Sequence, residues 1–282
     1  MSKKLRIGGA SGFWGDSVVA TPQLLNGNKL DFIVYDYLAE ITMSIMARAR
    51  AKDSTKGYAV DFVSSVLKLN LKQIAKQKIK ILSNAGGVNP VACAAAIREL
   101  VKELNLDLNV SVVLGDDLID KKEQFSKLHI KEMYSNDLFP QEEKIASINA
   151  YLGAFPIAKA LSEGADIVIT GRSVDSAVTL GACIYSFGWN ENDYDKLAAG
   201  SLAGHIIECG AQCNGGNFTD WHLVKDFDNI GFPIIEVVSN GDFTVSKPEN
   251  TGGLISFGTV AEQFLYEIGD PGSYILPDVV CD

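Results

Sequence analysis

The chain has 282 residues, 47% hydrophobic and 21% charged, a balance that supports a large folded core and excludes disorder over the bulk. Its 35 Asp and Glu outnumber 25 Lys and Arg, giving −10, so it offers no basic stripe for nucleic acid or an anionic membrane. No apolar run reaches the roughly 18 residues of a membrane span, and the first is too short for a signal-peptide core, so a cytoplasmic protein is expected. Its cysteines (93, 183, 209, 213 and 281) are odd in number and read as reduced thiols.

The first strand, Leu5–Ile7, runs into the loop GGASGFWGD at 8–16, and the second, Phe32–Tyr35, into DYLAE at 36–40. Leu38, Ile41, Ile45 and Ala49 then recur at helical spacing, and the helix ends among Arg48, Arg50 and Lys52, suiting its dipole. Residues 58–77 continue helical through Val60, Val63, Leu67, Leu71 and Ile74. The third strand, Ile79–Leu82, leads into NAGGVNP, where Asn89 caps and Pro90 opens a helix to Leu104. The fourth, Val110–Leu114, leads into GDD, and residues 117–147 read as a mostly helical surface excursion. A helix at 148–163 precedes the fifth strand, Ile167–Ile169, its loop TGRSVD, and a helix capped by Ser173 that runs to Phe187.

Beyond these lie a helix over 197–210, an irregular glycine-rich stretch at 209–221, and two strands around the Asn240–Gly241 turn. A helix over Leu254–Ile268 and the apolar run SYILPDVVCD complete the chain. Strands alternating with helices predict a doubly wound, mostly parallel α/β sheet flanked by helices, with an added C-terminal α+β segment. We read one domain over 1–282, a core at 1–190 and an accessory segment at 191–282, truncated at its C-terminal end because it stops within an apolar run.

In such sheets ligands bind outside the carboxyl ends of the strands, where all five polar loops fall. Gly9, Ser11 and Gly12 offer a glycine loop whose N–H groups can face a carboxylate or phosphate. Asp36 lies 21 residues past Gly15, where a dinucleotide enzyme places its ribose-binding acid. The spacing resembles extended short-chain dehydrogenases, but no tyrosine has a lysine four positions on, as those enzymes require. Asn84, Gly86 and Gly87 combine a donor–acceptor amide with close backbone approach. Thr170, Arg172 and Asp175 bring a cation able to grip a carboxylate bidentately. Glu208 is a carboxylate in an apolar stretch and the first candidate for proton transfer, with Asp36 or Asp117 second. Gln212, Gly216 and Asn217 form a polar loop able to close over the sheet edge. His205, Cys209 and Cys213 are spaced for one helix face, but they lack a fourth ligand and Gly210 breaks the row, so no metal is expected.

Taken in order, GGASGFWGDS, DYLAEITM, NAGGVNP, TGRSVDSA, GHIIECGAQCNGGNF and DPGSYILPDV resemble the acyclic terpene utilisation (AtuA) family over the whole length. That family accompanies acyl-CoA carboxylases and hydratases in degradation of acyclic terpenes and branched acids, and its members continue past the PDV segment. Cys213 stands where alanine is commoner. The resemblance implies a catabolic α/β protein without supplying catalytic residues. The function expected is hydratase or lyase chemistry on a carboxylate or acyl-CoA, with no cofactor beyond the substrate's CoA moiety. The alternatives are a nucleotide-dependent oxidoreductase and a non-catalytic subunit of an acyl-CoA-processing complex. Expected partners are the small molecule and either a homo-oligomer or another catabolic enzyme.

Overall fold

FIVY and IVIT are apolar at nearly every position, so strands built from them must be buried on both faces, as in a parallel sheet covered by helices. The computed structural model, which describes residues 3–281, has this arrangement. Strand β1 (Lys4–Gly9) is followed by α1 (Ala20–Leu25), β2 (Phe32–Tyr35) and α2 (Glu40–Lys52). A π-helical stretch over Phe62–Leu67 continues into α3 (Lys68–Gln77), then β3 (Lys80–Ser83), α4 (Pro90–Glu103) and β4 (Val110–Val113). Next come α5 (Lys122–Ser126), α6 (Phe155–Ser162), β5 (Ile167–Thr170), α7 (Ala177–Phe187) and α8 (Tyr194–Glu208). The chain then forms β6 (Ile234–Val238), β7 (Phe243–Ser246), α9 (Phe257–Glu267) and a small hairpin, β8 (Tyr274–Ile275) with β9 (Val280–Cys281).

Seven strands form one sheet in the order β4-β5-β3-β2-β1-β6-β7. The first five are parallel, registered by pairs such as Ile7 with Phe32 and Ile81 with Ile167. β6 joins β1 antiparallel, Ile7 opposite Ile235, so the C-terminal segment extends the same sheet. Alternate side chains serve opposite cores. Ile33 and Tyr35 pack with α1–α4, while Phe32 and Val34 pack with α6–α8.

The two faces follow from crossover handedness. The path β1 to β2 to β3 to β4 moves one way across the sheet, so right-handed crossovers put its helices on one face. From β4 the chain reverses to β5, and α6 must cross on the other face. Neighbouring strands β3 and β5 therefore send their chains to opposite faces. That divergence opens a crevice at their carboxyl ends, the topological switch point.

Asn89 caps α4 as expected, its side chain accepting from the Ala92 N–H, with Pro90 at the first position. Other expectations are corrected. α2 buries Thr42, Met43, Met46 and Ala47 while Ile41 and Ile45 face solvent, and Met46 fills the gap beneath Gly87. The excursion at 117–147 is mainly irregular, with helix only over 119–126 and a short turn at Glu142–Lys144; most of its side chains are at least partly exposed, so no apolar face holds a longer helix. α6 starts at Phe155, since the segment before it pairs with the Gly171–Val174 loop through Leu152 and Ser173. The same bridge occupies Ser173, and α7 begins at Ala177 without a side-chain cap.

Candidate functional site

Asp36 follows the fully buried end of β2, so its carboxyl group emerges below the loops rather than into open water. Its Oδ1 accepts from Asn84 Nδ2 at 2.6 Å and from the Leu38 N–H at 3.2 Å. The Asn84 Oδ1 in turn accepts from the Tyr37 N–H at 2.8 Å, and the Ser11 hydroxyl donates to the Asp36 carbonyl. Asn84 is wholly buried, so it orients Asp36 instead of meeting a ligand directly. Burial, reinforced by the nearby Asp175 charge, holds the Asp36 carboxyl well above the usual carboxylate range; the bonds from Asn84 and Leu38 and the Arg172 charge offset this in part.

Arg172, after β5, is also buried. Its Nη1 donates to the Leu38 carbonyl at 2.8 Å and to Asp175 Oδ1 at 2.6 Å. Its Nη2 donates to Tyr151 Oη at 3.0 Å and reaches Glu40 Oε1 at 3.3 Å, and the guanidinium lies 4.2 Å from the Tyr151 ring centroid. The expected free bidentate fork is thus engaged by the protein. Glu40 is the displaceable partner, its side chain 80% exposed. The Tyr151 hydroxyl, with help from Arg172, keeps the Glu40 carboxyl below its ordinary value. The Arg172 N–H is fixed by Asp116, whose Oδ2 also accepts from Asn149.

Glu208 is the last residue of α8, and one oxygen each of Asp36, Asp175 and Glu208 lie within 4.8 Å of one another. Three such oxygens could coordinate a hard divalent cation. Glu208 Oε1 is 2.9 Å from His205 Nδ1, and His205 Nε2 lies 3.2 Å from the Phe264 carbonyl. A carbonyl only accepts, so Nε2 carries hydrogen. Nδ1 and Oε1 thus face each other at a distance over which a proton can pass between imidazole and carboxyl.

The glycine loop explains how a helix end reaches the tip of β1. A Cβ on Gly9 would sit 2.5 Å from the Ile207 carbonyl, and one on Gly12 would be 2.7 Å from the Cys209 backbone. These glycines admit the end of α8. Their N–H groups are used internally, Gly9 to the Pro233 carbonyl and Gly12 to Asp16 Oδ2, both at 2.9 Å. Gly86 performs the same service at the switch point, leaving no room for a Cβ against the Thr170 carbonyl, and Gly87 does so over Met46.

Gly12, Asp36, Arg172, Asp175 and Glu208 line one cleft of about 780 Å³. Tyr134 from the excursion and Tyr266 and Tyr274 from the C-terminal segment close over it. Asp278 anchors that segment, its Oδ2 accepting from the Ala154 N–H at the start of α6 at 2.8 Å. Other expected residues lie elsewhere. Asp117 pairs with Arg50 at 3.0 Å, Gln212 bonds Asn217 at 3.3 Å, Gly216 packs on the Ala211 carbonyl, and the Thr170 hydroxyl donates to the Gly171 carbonyl. None of these lines the cleft. Burial pushes the Cys213 thiol up, and its Sγ contacts Asn214 Oδ1. Sequence reasoning missed Glu40 and Tyr151 and gave His205 no part in proton transfer. The His205 signal was present, because positions i and i+3 share one helix face.

Sheet order and cleft together define an α/β protein of the switch-point type, with a carboxylate-lined cleft at the carboxyl ends of its parallel strands. The family model described as acyclic terpene utilisation family protein AtuA matches residues 5–282, and the chain belongs to that family. Membership implies a role in acyclic terpene utilisation. No curated protein and no solved structure matches the chain.

Proposed function

We propose that the protein is a hydratase or lyase acting on an unsaturated or hydroxylated carboxylate or its CoA thioester, without a cofactor of its own. The carrying observation is the cluster of Asp36, Asp175 and Glu208: burial holds the Asp36 carboxyl well above its ordinary range, which favours its protonated form, and Glu208 faces His205, which can take its proton. Two carboxyl groups in different protonation states within one cleft are an acid and a base. In the hydration direction Glu208 removes a proton from water as its oxygen bonds the β-carbon, and Asp36 delivers a proton to the α-carbon. Elimination reverses each transfer. Arg172 offsets the cluster's negative charge, and its Nη2 meets the substrate's anionic or polarised oxygen when Glu40 swings away.

A dinucleotide reading is less well supported. The Gly9 and Gly12 N–H groups already have protein acceptors, and α1 begins only at Ala20, so its first turn does not open at the glycine loop. The test is incubation with 2-enoyl and 3-hydroxyacyl acids and thioesters in ¹⁸O-water, with and without chelator. The expected result is label at the β-carbon, undiminished by chelator. Absence of label with every substrate class overturns the reaction assignment, and loss on chelation replaces the cofactor-free mechanism with a cation held by the three carboxylates.

A further inference from the structure

Behind the carboxylate cluster, on the other side of the His205 and Tyr274 rings, lies a second cavity of about 270 Å³ between α8, α9 and the terminal hairpin. Ala198, Leu202, Phe264, Ile268 and Pro271 give it apolar walls. Tyr274 borders both this cavity and the polar cleft, and His205, which lines the cavity, holds Glu208, which lines the cleft. The two rings meet edge to face, 6.3 Å between centroids. Within the apolar wall sits one anomaly. Ser201 is 3% exposed, and its Oγ finds no hydrogen-bond partner among the described residues. A buried hydroxyl left without a partner is costly, and a native fold keeps one where a ligand or water completes it.

We propose that this cavity seats the hydrocarbon tail of the substrate, up to roughly ten carbons in size, and that Ser201 reads a polar atom carried on that tail. The proposal rests on the acid-headed substrate proposed for the cleft: head at Arg172, reacting carbons at Asp36 and Glu208, tail beyond Tyr274. The size follows from comparison, since a cavity of about 150 Å³ accommodates benzene and this one is nearly twice as large. The apolar walls supply affinity through area removed from water, and the single hydroxyl supplies selectivity, because an unmatched polar group opposite it remains unsatisfied.

The test is binding to the whole chain of two homologous series, straight-chain carboxylates and primary alcohols of four to twelve carbons. Affinity in both should rise about fourfold per methylene and level off near ten carbons. Ala198→Phe, which narrows the cavity from α8, should move the levelling point to shorter chains and leave butyrate binding unchanged. Ser201→Ala should tighten binding of the plain chains and weaken that of a mid-chain hydroxy acid, reversing their order by about tenfold. A flat response in both series overturns the tail site, as does a rising one that folded Ala198→Phe and Ser201→Ala leave untouched. If Ala198→Phe does not fold, the Ser201→Ala reversal decides alone. A ladder in alcohols with no added affinity for the carboxylates keeps the tail site and removes the acid head assigned to the cleft.

Discussion

Two stretches of the same sheet edge carry nearly the same chemistry and end differently. Past the ends of β2 and β5, Asp36, Arg172, Asp175 and Glu208 crowd around a cleft bordered by tyrosines. A few residues away, Arg50, Asn89, Asp116 and Asp117 also combine a cation, an amide and carboxylates beside Gly87 and Gly115. In the second group each of these side chains is bonded within the fold. Arg50 donates to the Val88 carbonyl and Asp117, Asn89 caps α4 and bonds the Ser54 and Lys56 carbonyls, and Asp116 fixes the Arg172 loop. What separates the two is topology. In the first, the loops after β1, β2 and β5 and the end of α8 stand around an open cleft; in the second, the loops after β3 and β4 are tied to α2 through Arg50. Residue type marks both regions, and among the described residues the first brings one oxygen each of Asp36, Asp175 and Glu208 within 4.8 Å of one another.

The comparison breaks most visibly at Glu208. Glu208→Gln should lower turnover by about two to four orders of magnitude while substrate binding and the melting curve stay near wild type, whereas Asp117→Asn should leave turnover unchanged. Equal losses at both positions would erase the distinction. The glycine loop sharpens it next. Gly9→Ala forces the Ile207 carbonyl to move and should cost about 1–3 kcal/mol in urea denaturation, with turnover falling because the end of α8 carries Glu208.

Asp36→Asn tests the electrostatics. Because the folded carboxyl is held above its ordinary value of 3.8, Asp36 costs the fold stability once the unfolded chain ionises and the folded one has not. Stability contributed by the protonated form is complete below that value and is lost as pH rises toward the folded value. The asparagine, which keeps the bonds from Asn84 and Leu38, should therefore raise the melting temperature at pH 8, change it little at pH 4, and abolish turnover. The smallest effect is expected at Arg50→Ala with Asp117→Ala. Their partly exposed ion pair contributes about 0–1 kcal/mol in a double-mutant cycle.

Much of this was legible in the sequence. Short runs of β-branched residues mark buried parallel strands, and loops placed after such strands must share an edge, so the meeting of Gly12, Asn84 and Arg172 follows from alternation alone. Asn89–Pro90 announced its helix because capping is local chemistry. The role of the glycines was not legible: a glycine admitting a helix end looks the same in sequence as one admitting a phosphate. Neither was the engagement of Arg172, since Glu40 and Tyr151 reach it from distant segments and no spacing links them. Ile41 and Ile45 misled for a related reason. Periodicity finds a helix, but what it packs against decides which face is buried, and here that face carries Met43 and Met46.

The acid role requires that Asp36 hold its proton at neutral pH beside Glu208. Isotope-edited infrared spectroscopy of protein labelled at aspartate carboxyl carbons measures this directly, with Asp36→Asn as the reference. The account predicts a protonated-carboxyl band at pH 7 that disappears in the variant and vanishes from wild type only at higher pH. A wild-type spectrum at pH 7 that shows only ionised aspartate would contradict it.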